Sequence, residues 1–146
     1  MRFDGRPMID DNALRQHLDA LGWRYEPHGV RTYRSVHETA EGKMAVYVRL
    51  ADEWLVASIV PFLATRGRNS FELSRWLLRM NRDMAQTKFA YDEDGDVVLT
   101  VELPTESLDF GEIRAAFEGL IRHGVEHRAT LRAASSSSAA TSGKRA

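Results

Sequence analysis

Apolar and polar residues alternate between Lys43 and Val60, and this alternation predicts two neighbouring β-strands. In residues 43–50 every second side chain is apolar, and these side chains share one face: Met44, Val46, Val48 and Leu50. Residues 53–60 are more apolar on both sides, as expected for a strand covered on both faces. Ala51 and Asp52 form a tight connection, which favours an antiparallel hairpin. Residues 30–37 predict a weaker strand before it, and the three strands together form a meander.

Three other segments repeat apolar residues with the period of an α-helix. They cover residues 10–21, residues 70–82 and the chain from about Leu108 onward. Asp10 or Asp11 is placed to cap the first helix and Ser70 the second. The predicted stripes are Leu14, Leu18 and Leu21; then Leu73, Leu77 and Met80, with Phe71 and Leu78 beside them; and finally Phe110, Ile113, Phe117 and Leu120.

A second hairpin is predicted from residues 87–91 and 96–103. The acidic turn between them contains Asp94-Gly95, a pair that tight hairpins favour. The order of elements is then α-β-β-β-α-β-β-α, with strands in antiparallel runs instead of alternating with helices. This order predicts an α+β fold with three helices and an antiparallel sheet of about five strands.

If the helices pack on one face of such a sheet, the other face is either exposed or covered by something else. In residues 53–60, Leu55, Ala57 and Ile59 face one way, whereas Trp54, Val56, Ser58 and Val60 face the other. If the helices cover the first set, the second set forms an exposed apolar strip, which implies a second copy or a bound partner. The alternative is that both faces are buried within the monomer, because the pattern of one strand does not separate the two cases.

Composition narrows the function classes. The chain has 146 residues, which suits one domain; we assign it to residues 1–132 and expect residues 133–146, rich in Ala and Ser, to be a disordered tail. There is no cysteine, which excludes disulfides and thiolate chemistry. The net charge of −1 argues against nucleic acid as a partner. Without a signal-peptide pattern or a long apolar run, we expect a soluble cytoplasmic protein that does not bind membranes.

One string suggests metal chemistry. His123, Glu126 and His127 match the H-x-x-E-H pattern of zinc hydrolases, in which two histidines hold the metal and the glutamate activates water. A hydrolase needs a third protein ligand, and Gly124 weakens the helix between the histidines. The polar end of the last helix is the preferred interpretation. The acidic turn does not have the spacing of an EF-hand, and no nucleophile or phosphate-binding motif is found, so we predict no enzyme activity, no metal and no cofactor.

Basic residues cluster on and before the second predicted helix. Arg75, Arg79 and Arg82 lie on one face of it, which is most simply a solvated face. Arg68, in the loop before the helix, remains a candidate for contact with an acidic partner.

Local strings resemble a known family. They are residues 74–81 (SRWLLRMN), residues 88–99 (KFAYDEDGDVVL) and the Glu-Leu-Pro at residues 102–104. Together they resemble the YbjN-type family, which is similar in fold to the type III secretion chaperones. The resemblance implies a compact α+β domain that forms homodimers and handles protein clients or acts as an adaptor. It implies no catalytic residue and no cofactor.

The sequence therefore predicts a homodimeric protein-binding module, chaperone-like or adaptor-like, with an unidentified protein client. Tyr47, Trp54 and Val56 are the candidate contact residues on the sheet, together with Arg68 in the loop. Two alternatives stay open. One is a small-molecule-binding regulator with a pocket between sheet and helices, and the other is a metal hydrolase that uses His123, Glu126 and His127.

Overall fold

The computed structural model describes the backbone of residues 2–3 and 6–143 and the side chains of residues 8–136. Helices are α1 (Asp11–Ala20), α2 (Phe71–Asp83) and α3 (Phe110–Gly143). Strands are β1 (Arg2–Phe3), β2 (Arg6–Pro7), β3 (Glu26–Pro27), β4 (Thr32–Thr39), β5 (Gly42–Leu50), β6 (Trp54–Leu63), β7 (Thr87–Tyr91) and β8 (Val97–Pro104). The expected order of three helices and two groups of strands is confirmed.

The main sheet is fully antiparallel and has six strands in the order β3-β4-β5-β6-β8-β7. The sixth strand is β3, only two residues long, and a segment this short carries no periodic signal. In β6 the register shifts between Ile59 and Leu63, where Pro61 has no N–H to donate to a neighbouring strand. The short strands β1 and β2 pair with each other in a separate hairpin.

All three helices contribute to one core on one face of the sheet. The strand residues that face it are fully or almost fully buried, among them Val46, Val48, Leu55, Ala57, Ile59, Leu99 and Val101. The helices add Leu14, Leu18, Leu73, Ile113, Phe117 and Leu120. The stripes predicted from the sequence are therefore the buried ones. The side chains of Asp10 and Ser70 accept hydrogen bonds from Ala13 and Leu73, as expected of N-caps.

Two residues of α2 correct the sequence prediction. The sequence predicts Phe71 and Leu78 beside the buried stripe, but they are 80% and 69% exposed. α2 lies at the β7 side of the sheet, where it contacts β7 and α3, so a wide apolar face cannot be covered there. These two side chains instead form part of the surface.

Helix α3 crosses the sheet closely at Gly124. A Cβ atom built there would lie 3.1 Å from Ile59 Cδ1 and 3.1 Å from Met44 Sδ, so the missing side chain permits the close approach. One turn later, Arg128 donates to the backbone oxygens of Lys43 (2.9 Å) and Phe62 (3.3 Å). These contacts join α3 to β5 and β6.

The C-terminal segment also differs from the prediction. α3 continues to Gly143, so residues 133–143 of the expected disordered tail are helical, and residues 144–146 lie outside the described part. Ala134 is 8% exposed, which joins the start of the segment to the core. Alanine has the highest helix propensity of all residues and favours continuation of the helix without large apolar side chains. Among the described residues, no helix has both the length and the apolar character required to cross a membrane.

Candidate functional site

The face of the sheet opposite the helices is partly exposed to solvent. Along β6, buried Leu55, Ala57 and Ile59 alternate with the more accessible Trp54 and Val56. The same alternation occurs on the neighbouring strands. We call this surface the open face, and define it by Val36, Ala45, Tyr47, Arg49, Trp54, Val56, Ser58, Val60, Ala90, Val98, Thr100 and Glu102. The expected apolar strip is therefore present on a face that the described helices do not cover.

Strand register places the predicted contact residues near one another. Tyr47 is opposite Ser58, and Val56 lies between Arg49 and Glu102 on the two flanking strands. Trp54 pairs with Pro104 at one end of β6. Tyr47, Trp54 and Val56 thus belong to one continuous surface, as the sequence predicts.

Tyr47 is held by polar and aromatic contacts on β4 and the preceding loop. Its hydroxyl accepts a hydrogen bond from Arg34 Nε at 3.2 Å, and its ring meets His28 edge-on with centroids 4.9 Å apart. A ring fixed in this way loses little side-chain entropy when a partner packs on it.

Trp54 is 44% exposed and lines a depression of about 240 Å³ with Met8, Glu53, Pro104, Thr105 and Glu106. The lining therefore combines an indole ring with two carboxylates. The indole face next to the exposed carboxylate of Glu53 suits a basic side chain, because cation–π attraction and ion pairing act together.

Arg68 does not belong to this surface. It is exposed in the loop between β6 and α2, beyond the end of β6 that is opposite to Trp54. Its backbone N–H donates to Thr65 O in a turn. The structure thus brings three of the four predicted residues together and separates Arg68 from them.

Sequence reasoning missed part of the open face. Val36 on β4 is 43% exposed and pairs with Ala45, while Val98 on β8 pairs with Ala90 on β7. On the outward face of its strand each valine stands next to polar residues, and it becomes part of an apolar surface only once the register is known.

A second exposed apolar group lies on α2 and β7. Phe71, Leu78 and Tyr91 are 80%, 69% and 39% exposed. Leu78 and Tyr91 line a groove of about 210 Å³ between the helix and the strand, together with Ser74, Leu77, Asn81, Phe89 and Ala90. Of the depressions described, this groove comes nearest to the pocket expected between sheet and helices.

The histidines of α3 lie away from the open face, on the side where the helix meets β7. His127 meets the ring of Phe89 edge-on at 6.1 Å, and the rings of His123 and His127 are stacked 6.2 Å apart. Burial lowers the pKa of His123, and the charge of Arg122 lowers it further. These residues and Glu126 are the group that could hold a metal ion.

Residues 10–133 match the model of the YbjN family, described as "Putative bacterial sensory transduction regulator". The chain belongs to the YbjN family. The match covers almost all of the helices and the sheet, and it confirms the resemblance carried by residues 74–104. No curated protein matches the chain.

Solved structures give the same fold. YbjN from E. coli superposes with a TM-score of 0.64 at 16% identity, covering 86% of this chain and 96% of that one. The ExsC–ExsE complex superposes with a TM-score of 0.60 at 17% sequence identity, covering 83% of this chain and 92% of that one. A third similar structure is SycH, a type III secretion chaperone from Yersinia pestis in complex with a fragment of YscM2. It superposes with a TM-score of 0.54 at 16% sequence identity, covering 80% of this chain and 97% of that one. The expected secretion-chaperone-like fold is confirmed.

Proposed function

We propose that this chain is a non-enzymatic protein-binding module, chaperone-like or adaptor-like, that acts in the cytoplasm as a homodimer. The observation that carries the proposal is the open face, where Tyr47, Trp54 and Val56 lie on one surface of the sheet. Aromatic anchors among aliphatic neighbours are typical of protein interfaces, and such patches are rare on proteins without a partner.

The fold neighbours add support from a different direction. ExsC and SycH were each crystallised with a protein partner. Each has the same fold as this chain. The sequence identity is too low for the client of either protein to be assigned to this chain. A protein client bound by an open sheet face is consistent with both observations.

We assign the homodimer interface to the exposed apolar group on α2 and β7, where the second copy would pack. Phe71, Leu78 and Tyr91 lie on adjacent elements, away from the open face. A two-fold dimer needs one self-complementary patch, and packing α2 against its copy would cover these side chains while leaving the open face free for a client.

A small-molecule regulator is the weaker alternative. The groove between α2 and β7 has a volume of about 210 Å³, below the range of about 300–1,000 Å³ that ligand pockets occupy. It is also lined by the residues that we assign to the dimer.

The experiment is co-purification of the tagged protein from its native cells, with light scattering to measure the mass of the complex. Val56→Glu should remove a stoichiometric partner, because the charge lies in the middle of the open face. Ala115→Glu places the same charge on the exposed side of α3 and should retain the partner. Leu78→Glu should give a monomer. If wild type and Val56→Glu retain the same proteins, the open face is not the binding site.

A further inference from the structure

Three potential metal ligands lie together on α3, outside the surfaces discussed above. His123, Glu126 and His127 each offer a nitrogen or oxygen atom, and these atoms all lie within 4.8 Å of one another. The two imidazole rings are almost parallel, at an angle of 2°, with centroids 6.2 Å apart. Positions i, i+3 and i+4 place all three side chains on one side of the helix.

His123 carries a nitrogen that lacks a partner. Its Nδ1 atom is buried and forms no hydrogen bond within the described part of the chain, although buried polar atoms are normally paired. Glu126 Oε2 lies 3.8 Å from this nitrogen, which is too far for a hydrogen bond. Two ligands of a tetrahedral ion, each about 2.0–2.2 Å from it, lie about 3.3–3.6 Å apart, so a small movement of the exposed Glu126 side chain brings its oxygen into range.

Neighbouring residues restrict the two imidazole rings. His127 packs edge-on against Phe89 of β7, and His123 is only 18% exposed, so neither ring is free to turn widely. The glutamate, 60% exposed, is able to move toward the ion.

The surrounding charges determine which ion is suited. The positive charges of Arg122 and Lys88 act on His123, and they oppose the approach of any cation. Attraction by Glu126 alone does not overcome two positive charges, so binding must come from coordinate bonds to imidazole nitrogen. Such bonds are strong for late first-row metals and weak for magnesium and calcium.

We propose that His123, Glu126 and His127 form a site for a divalent late first-row transition metal, zinc being the best example. The glutamate acts here as the third protein ligand, so it is not free to serve as the base that activates water, and we assign the ion no catalytic role. An ion that binds the folded chain stabilises it by mass action, and this ion would stiffen the part of α3 that packs against β7. The proposal is independent of protein binding at the open face.

The test is calorimetric titration of the full chain, freed of tag and of metal, with zinc chloride and then with magnesium chloride. We expect one equivalent of zinc and no heat with magnesium. His123→Ala and His127→Ala should each weaken zinc binding at least about tenfold, because even outer-shell partners of metal ligands are worth about 10–100-fold. His17→Ala, which removes a histidine of α1 stacked on Phe110, should leave zinc binding unchanged.

Glu126→Gln keeps the test decisive if a histidine variant fails to fold, since this exposed side chain is replaced at constant size. It should also weaken zinc binding, with an unchanged circular dichroism spectrum. The proposal is overturned if the wild type binds no zinc at millimolar concentration. It is equally overturned if Glu126→Gln and the folded histidine variants bind zinc as tightly as the wild type.

Discussion

The side chain of Asn81 forms two hydrogen bonds with the backbone of a single residue, Phe89. Its Nδ2 donates to Phe89 O at 3.0 Å, and its Oδ1 accepts from the Phe89 N–H at 2.7 Å. Phe89 lies in β7, an edge strand of the sheet, and Asn81 lies near the end of α2. The amide thus takes the position of a further strand and satisfies backbone groups that an open edge would leave unpaired.

We predict that Asn81→Ala lowers the free energy of unfolding by about 1–3 kcal/mol. The change removes two hydrogen bonds and leaves the polar backbone groups of Phe89 without a partner. Urea denaturation followed by circular dichroism measures the change. Arg82→Ala is the matched control on the next, exposed position and should cost less than about 0.5 kcal/mol. Equal effects of the two changes would show that the amide contributes no special stability.

The same contacts explain the sequence string that carries the family resemblance. Lys88 donates from Nζ to Asn81 O at 2.7 Å and also to Met84 O, so Asn81, Lys88 and Phe89 form one connection between α2 and β7. Sequence analysis recognises these residues as a signature, but it gives no reason for them. The reason is the protection of a sheet edge, which becomes visible only when helix and strand are placed side by side.

Gly95 in the β7–β8 turn is expected to tolerate no side chain. A Cβ atom there would lie 2.5 Å from the backbone N and 2.6 Å from the Cα of Gly67, and its φ is +77°. The carbonyl of Gly95 also accepts hydrogen bonds from Gly67 N, Thr65 Oγ1 and Asn69 Nδ2. Gly95 therefore joins the turn to the loop before α2.

Gly95→Ala should cost about 2–4 kcal/mol, since backbone strain and a clash with backbone atoms add together. Gly67→Ala is the control, because Gly67 also has a positive φ of +79° but a Cβ atom there meets nothing within 4 Å. This change should lower the free energy of unfolding by about 1 kcal/mol. The difference between the melting temperatures of the two variants measures the effect of the clash, because both variants have the cost of a positive φ. If the two variants melt at the same temperature, the contact with the loop is unimportant.

The fold could largely be predicted because its elements have clear periods. Leu14 and Leu18 on α1, and the alternating residues of β5 and β6, are buried as their spacing predicts. Phe71 and Leu78 show the limit of this reasoning. They lie at helical spacing next to a buried stripe, but burial depends on whether another element covers that side, and at α2 none of the described elements does. The spacing of apolar residues gives the faces of a helix, but not the number of its neighbours.

The open face illustrates the same limit for the candidate site. The alternation in β6 predicts that Trp54 and Val56 lie opposite Leu55 and Ala57, as the structure confirms. It does not predict that Val36 and Val98 extend the surface, because this depends on the register of four strands. Arg68 was proposed from its charge alone, and charge carries no information about position.

Tyr33 predicts a dependence of stability on alkaline pH. Burial raises the pKa of its hydroxyl to about 12 from the usual 10, and the hydrogen bond to Asp11 (2.7 Å) adds to the effect. Between these two values the folded chain binds more protons than the unfolded chain. The contribution of Tyr33 to stability is therefore complete below pH 10 and is lost as the pH rises toward 12.

Comparison of the wild type with Tyr33→Phe tests this sign. At pH 8 the wild type should be more stable by about 1.5–3 kcal/mol, the usual value of a hydrogen bond to a charged group. The difference should shrink in urea denaturation between pH 10 and pH 12. Asp11→Asn should make the pH dependence of Tyr33 smaller, because it removes the carboxylate that helps to raise the pKa. A difference that stays constant up to pH 12 would contradict the assignment.

Val56 and Ala57 provide the sharpest test of the open face, since neighbouring residues of one strand point to opposite faces. Ala57 is fully buried against the helices, and a glutamate there places an unpaired charge in the core. Ala57→Glu should therefore lower the free energy of unfolding by more than about 4 kcal/mol and prevent folding. Val56 is only partly buried, and Val56→Glu should cost about 1 kcal/mol, the span of β-propensities. Circular dichroism and thermal unfolding compare the two variants. A folded Val56→Glu that has lost its partner would separate binding from stability, whereas unfolding of Val56→Glu would mean that this face is part of the core.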